Sequence, residues 1–383
     1  MRYLILAAVA ALSSAITTGS AAAQPDTGGD PGAVLSARAL GGGELIPGSA
    51  SGFRISYRTT GQNGEAVVSG GTIYLPGGVA PAGGRPVVSW AHGTSGMTQG
   101  CAPALNGGMA DTFDETPQLA TYLAHGYAVV ASDYIGLGGP GVYEYLAGRA
   151  AGHAVLDIVR AGHAVDAELS ESFALAGHSI GGQSVLAAAG MSADYAPELD
   201  LRGTLAYAPT SNVEELIALL SRPGVPVLPG LDGLHARLVM ILAGLDHARP
   251  DLGLTDYLSA QGREVLAVAR SGRDCLSSLE SAVAGRSVGE LFSAPLPEPV
   301  IAALRDYLSV PTTGYRGPVV LLQGGADTIQ PVPTTVLLHQ QLQAAGTDNR
   351  LVLVAPATHF TILRSADAEA QTFLADVLPT GQR

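Results

Sequence analysis

Gly177-His178-Ser179-Ile180-Gly181-Gly182 stands between a short apolar run at 173–176 and a helix-spaced run that begins near Gln183. A G-x-S-x-G in that setting reads as a sharp strand-to-helix turn, which holds the serine at strained backbone angles with its hydroxyl exposed. Glycine is needed at 177 and 181 because side chains there would block the approach of strand and helix. The turn therefore commits the chain to an α/β arrangement. Strand-like runs at 53–59 and 66–75 flank a glycine-containing turn at 61–64. Short apolar runs at 87–90, 128–131, 173–176 and 204–207 then alternate with helical stretches at 116–125, 148–167 and 183–190. That alternation predicts a mostly parallel central sheet with helices on both faces.

The rhythm breaks at Ser211 and resumes only at a strand over 319–322. The gap far exceeds the ~2–6 residues usual between helix and strand, so it predicts a folded insertion. Helix-spaced apolar positions at 213–221, 231–248, 255–269 and 299–308 make that insertion helical. A strand at 351–354 and a helix at 367–377 complete the sheet. The expected organisation is a signal peptide at 1–23, a loosely structured lead-in at 24–50, a core formed by 51–211 and 317–383, and a helical cap at 212–316.

Composition removes several classes of function. All 20 basic residues are arginine, so no lysine can serve a P-loop, a kinase strand or a pyridoxal-phosphate Schiff base. The net charge of −13 repels phosphate backbones, which argues against nucleic-acid binding. Arg2, the apolar run at 4–12 and Ala21-Ala22-Ala23 before Gln24 form an export-signal pattern. No stretch is apolar for the ~18 residues that a membrane helix needs. Neither H-E-x-x-H nor C-x-x-C occurs, and no metal or cofactor is expected. The two cysteines, Cys101 and Cys275, form one disulfide in an oxidising compartment or remain two separate thiols. Gly136-Leu137-Gly138-Gly139-Pro140-Gly141 satisfies G-x-G-x-x-G only formally. A dinucleotide site would open a helix at once, and Pro140 removes a backbone N–H that a phosphate would use.

A serine hydroxyl becomes a useful nucleophile when a base takes its proton and an acid orients the base. After a turn of this kind the chain order is Ser, acid, His. His235 and His247 fall in the insertion and His339 in a helical run, whereas His359 follows the strand at 351–354. Asp327 ends the turn after the strand at 319–322, and Asp133 is the weaker competitor. Ser179, Asp327 and His359 are the candidate catalytic residues. The candidate oxyanion donors are the backbone N–H groups of Ile180 and of Thr94 in the loop after the third strand-like run. His92 braces that loop.

With these residues in place the sequence resembles the secretory lipase family of α/β-hydrolases, meaning fungal lipase A and its bacterial relatives. The likeness rests on Arg54-Ile55-Ser56-Tyr57-Arg58, Ser69-Gly70-Gly71-Thr72, Tyr74-Leu75-Pro76 and His92-Gly93-Thr94. It continues through Ser132-Asp133-Tyr134-Ile135-Gly136-Leu137-Gly138, the elbow, Asp327, His359 and the position of the cap. The resemblance implies an α/β-hydrolase fold and hydrolysis of carboxylic esters, with acylglycerols the archetypal substrate, met in solution or at an oil–water interface. Leu216, Leu219, Leu220, Val239, Met240, Leu242 and Phe292 are expected to line the acyl site and to favour octanoates over acetates. Three rivals stand beside this reading: a peptidase or amidase with the same triad, a non-catalytic exported binding protein, and a polysaccharide-directed esterase.

Overall fold

Short apolar strands buried on both faces build the sheet. The computed structural model describes residues 29–105, 113–226, 232–271 and 275–380, so the expected export signal lies outside the described residues. The strands are β1 (Val34–Ala39), β2 (Ser49–Thr60), β3 (Ala66–Pro76), β4 (Arg85–Ala91), β5 (Ala128–Ile135), β6 (Leu169–His178), β7 (Asp200–Tyr207), β8 (Val319–Gly324) and β9 (Asn349–Val354). Their spatial order is β1-β2-β3-β5-β4-β6-β7-β8-β9. The pairs from β1 to β5 run antiparallel, and every pair from β5–β4 to β8–β9 runs parallel.

Helices cover both faces: α1 (Thr116–Ala124), α2 (Gly148–Val165), α3 (Ile180–Tyr195), α4 (Glu214–Leu220), α5 (Asp232–Ala248), α6 (Ala260–Arg270), α7 (Leu276–Val283), α8 (Glu298–Leu308), α9 (Val332–Ala344), α10 (Ile362–Ser365) and α11 (Asp367–Val377). On β4, Val87 and Ala91 join the core beneath α2 and α3, while Val88 and Trp90 join the one beneath α1 and α11. Alternation continues on β8, where Val319 and Leu321 face one way and Val320 and Leu322 the other. Side chains alternate across a strand, so a short apolar run with helices on both sides must be buried on both faces. The fold is α/β-hydrolase-like, with α4 to α8 all falling between β7 and β8.

Two expectations change. The lead-in is not loosely structured throughout, because β1 pairs with β2 through Ala37↔Ile55 and Arg38↔Arg54. Its side chains are mostly exposed, so no buried face marked it in the sequence. The helix expected over 255–269 is split: a 3-10 turn at Leu254–Tyr257 precedes α6, and the Ser259 hydroxyl caps α6 by accepting the Gly262 N–H at 3.0 Å.

Candidate active site

The parallel strands deliver the candidate residues to one rim. Ala91 of β4 pairs with Gly177 of β6, His178 of β6 with Tyr207 of β7, and Gly324 of β8 with Val354 of β9. Their carboxyl ends therefore open side by side, the edge at which such sheets place their ligands. Ser179 lies between β6 and α3 at φ 59° and ψ −117°, a left-handed conformation that a non-glycine residue adopts only under constraint. Its N–H donates to the Tyr207 carbonyl at 2.8 Å, and its own carbonyl accepts from Thr210 at 3.1 Å. A Cβ on Gly177 would collide with the Gly181 carbonyl, and one on Gly181 with the Ala91 carbonyl. Only glycine permits this turn.

Asp327 and His359 meet across the ends of β8 and β9. His359 Nδ1 donates to Asp327 Oδ2 at 2.8 Å, and Asp327 Oδ1 accepts the N–H groups of Ile329 and Gln330, each at 2.8 Å. Burial alone would raise the Asp327 carboxyl, but the His359 hydrogen bond and these backbone donors offset it and leave its pKa lowered. Burial also dominates at His359, pushing the imidazole below its ordinary value. Asp327 opposes that push, while His178 and Arg237 add to it. Among the described residues, no hydrogen bond joins the Ser179 hydroxyl to His359. Asp133 is placed elsewhere, 3.4 Å from Arg54 and accepting the Ala104 N–H at 3.2 Å. The glycine motif after β5 leads to no helix until α2, and Gly138 packs on Asp133.

The loop after β4 is braced from below. The Gly93 N–H donates to both oxygens of Glu115, at 3.2 and 3.3 Å, and Thr94 follows it along the loop. The Thr94 hydroxyl lies 2.8 Å from that of Tyr145. Ile180 begins α3, where a helix has no internal acceptor for its first N–H groups. His92 is buried against Tyr134, whose hydroxyl donates to the His92 carbonyl at 2.9 Å. Sequence reasoning missed Glu115 and His178. His178 Nδ1 faces Glu115 Oε1 at 2.7 Å, and its Nε2 donates to the His359 carbonyl at 2.9 Å. Glu115 precedes Thr116-Pro117 and looks like the start of a helix; His178 occupies the variable position of the elbow.

Residues 109–377 match the model of the secretory lipase family. The chain belongs to that family. A Mycobacterium tuberculosis (strain CDC 1551 / Oshkosh) protein named as a probable inactive lipase is 26% identical over 302 residues, 74% of this chain and 62% of that protein. Lipase A of Moesziomyces aphidis is 28% identical over 240 residues, 60% of this chain and 48% of that protein. The chain thus spans less than two thirds of these curated relatives' length. The closed-state crystal structure of Candida antarctica lipase A superposes with a TM-score of 0.73 at 20% identity, over 91% of this chain and 82% of that one. A ligand-bound rice cell wall degrading esterase from Xanthomonas oryzae gives 0.72 at 19% identity, over 93% and 100%. At such identities the structures establish the shared fold.

In this secretory lipase family member the helical insertion between β7 and β8 is fastened beside the loop after β4. Cys101 and Cys275 form a disulfide, and the Leu276 N–H donates to the Ser95 carbonyl at 3.4 Å. A cavity of about 150 Å³ lies between cap and rim, walled by Leu216, Ile217, Leu234 and Ile241 of the cap and by Tyr145, Thr210 and Gln330 of the core. Those core residues are each one hydrogen bond from the candidate site: Tyr145 from Thr94, Thr210 from Ser179 and Gln330 from Asp327. Of the seven residues expected to line an acyl site, Leu216 lines this cavity. Val239, Met240, Leu242 and Phe292 are packed into the core instead.

Proposed function

We propose that this chain is an exported serine esterase or lipase that hydrolyses carboxylic esters through Ser179, His359 and Asp327. The observation that carries the reading is the 2.8 Å His359–Asp327 bond on the rim where Ser179 sits at a strained elbow. Ser179 Oγ attacks the ester carbonyl carbon while His359 Nε2 takes its proton. Asp327 fixes the tautomer and stabilises the imidazolium. The carbonyl oxygen takes up the negative charge, held by the N–H groups of Ile180 and Thr94. His359 then gives its proton to the departing alcohol. Water, deprotonated by His359, attacks the acyl-enzyme and releases the acid and free Ser179.

One relative of this chain is named as a probable inactive lipase, so the presence of all three residues in this chain matters to the proposal. The N-terminal signal pattern and the family's secretory character support export. A fluorophosphonate should label the wild type, and Ser179→Ala should abolish labelling and lower p-nitrophenyl ester turnover by at least ~10⁴-fold. Activity within tenfold of wild type in that variant would remove Ser179 from the mechanism. Faster cleavage of anilides than of matched esters would favour the amidase rival, and absence of labelling in the wild type the binding-protein rival.

A further inference from the structure

Glu115 and His178 lie under the candidate site, each at most 3% exposed, and nothing in the proposed reaction uses them. The His359 carbonyl can only accept, so His178 Nε2, 2.9 Å away, carries a hydrogen. At the other side of the ring one proton lies on the 2.7 Å line between Nδ1 and Glu115 Oε1. Glu115 is held in turn by the Gly93 N–H and by Trp90 Nε1–H at 3.1 Å. These contacts end on the residue before Thr94, the residue before Ser179, and His359 itself.

We propose that Glu115 and His178 are positioning residues, a buried pair that sets the spacing of the oxyanion loop, the elbow and the His359 loop for ester turnover. The proposal rests on the esterase reading. Stability alone is a poor reason for such a pair, because apolar replacements of buried ion pairs are often neutral or stabilising. Here Glu115 accepts from the Gly93 N–H of the loop after β4 and from Trp90 of β4 itself, while His178, at the elbow, donates to the His359 loop. Loss of the pair lets these loops move independently, and a displacement of ~1 Å at reacting groups can lower turnover about 10²-fold.

The pair also acts on the base. His359 is faced by Asp327 from the β8 loop, His178 from β6 and Arg237 from α5. His178 is faced by Glu115, His359 and the rings of Phe113 and Phe360, and Glu115 also acts on His92. After burial, His178 helps hold the His359 imidazole down, so removing it should raise the midpoint at which His359 loses its proton.

The test uses the full chain with Glu115→Gln, His178→Leu and His178→Gln. Glu115→Gln and His178→Leu should lower kcat about 10²-fold with KM nearly unchanged. His178→Gln keeps a neutral donor for the His359 carbonyl and should recover most of that loss. Both His178 variants should move the acid limb of kcat/KM upward, and a ¹⁵N-histidine NMR titration should report the same upward shift at His359 without substrate. Wild-type turnover per fluorophosphonate-titrated site and an unmoved His359 midpoint, in variants that only melt earlier, would reduce the pair to core packing. If the wild type cleaves no ester but the NMR midpoint moves, the esterase reading falls and the coupling to His359 stands. If His178→Leu does not fold, the two glutamine variants decide.

Discussion

At the rim of the sheet, Ser179, His359 and Thr94 sit on loops tied by directional polar bonds, whereas the cap above them is packed mainly through apolar side chains, with one disulfide and a few polar contacts such as Tyr307 to the Tyr145 carbonyl at its edges. Hydrogen bonds fix distance and angle together, so the rim suits groups that must meet within a few tenths of an ångström. Apolar packing is less directional and tolerates exchange of similar volumes, so the cap suits a surface that selects among substrates. Rim substitutions should therefore strike kcat, and cap substitutions should strike stability and selectivity.

The largest effect is expected at the rim. Asp327→Asn keeps the shape but lets His359 adopt the wrong tautomer, which should lower kcat by about 10³–10⁴-fold with little change in melting temperature. If Asp133→Asn did the greater damage, the acid would belong to β5 and the 2.8 Å bond to His359 would be incidental.

The cap's covalent tie should show the opposite profile. Cys101 and Cys275 are 174 residues apart, and the chain-entropy model gives roughly 5 kcal/mol as an upper estimate for such a loop. Cys101→Ser should lower the melting temperature clearly and activity modestly, with no further loss when Cys275→Ser is added. Two free thiols titrated in the native, non-reduced protein would dispose of this tie. A collapse of kcat at unchanged melting temperature would erase the distinction between rim and cap.

Selectivity offers a finer test. The apolar cavity of about 150 Å³ between cap and rim sets how much of an acyl chain can be buried there. Each buried methylene contributes about 0.8 kcal/mol, so butanoates and hexanoates should be cleaved faster than acetates, with the gain levelling off beyond them. Leu216→Trp should flatten that series by filling the cavity from its half-exposed wall. Faster cleavage of acetates in the wild type would move the acyl group out of this cavity.

The same division explains what the sequence made legible. The double-faced strands and the G-H-S-I-G turn are local patterns, and the order Ser, acid, His points to residues at the carboxyl ends of β6, β8 and β9. Asp327 and His359 were thus findable before their contact was seen. The Glu115–His178 contact spans 63 residues and joins two residues with no shared motif. In the cap, apolar periodicity identifies helices, but it cannot tell that Met240 faces the core while Leu216 faces the cavity. β1 escaped because an exposed edge strand carries no buried stripe.

The smallest expected effect sets rim and cap against each other at a single imidazole. His359 can accept a proton only when neutral, and burial foremost holds its pKa below 6.5, against the pull of Asp327. Its acid limb should therefore lie below 6.5. Because the fold favours the neutral form, the unfolded chain takes up the proton first as pH falls. Stability should decline as pH drops below 6.5 toward the lowered value, and His92 and His153, also lowered by burial, act in the same direction. Arg237 reaches His359 from the cap, but its influence ranks behind that of His178, and its guanidinium is shared with Glu280 at 3.5 Å. Arg237→Gln removes a positive neighbour, so the acid limb should move up, and by less than in His178→Gln. If the cap substitution moved the limb further than the rim substitution, the base would be governed from above and the polar bonds beneath it would be secondary.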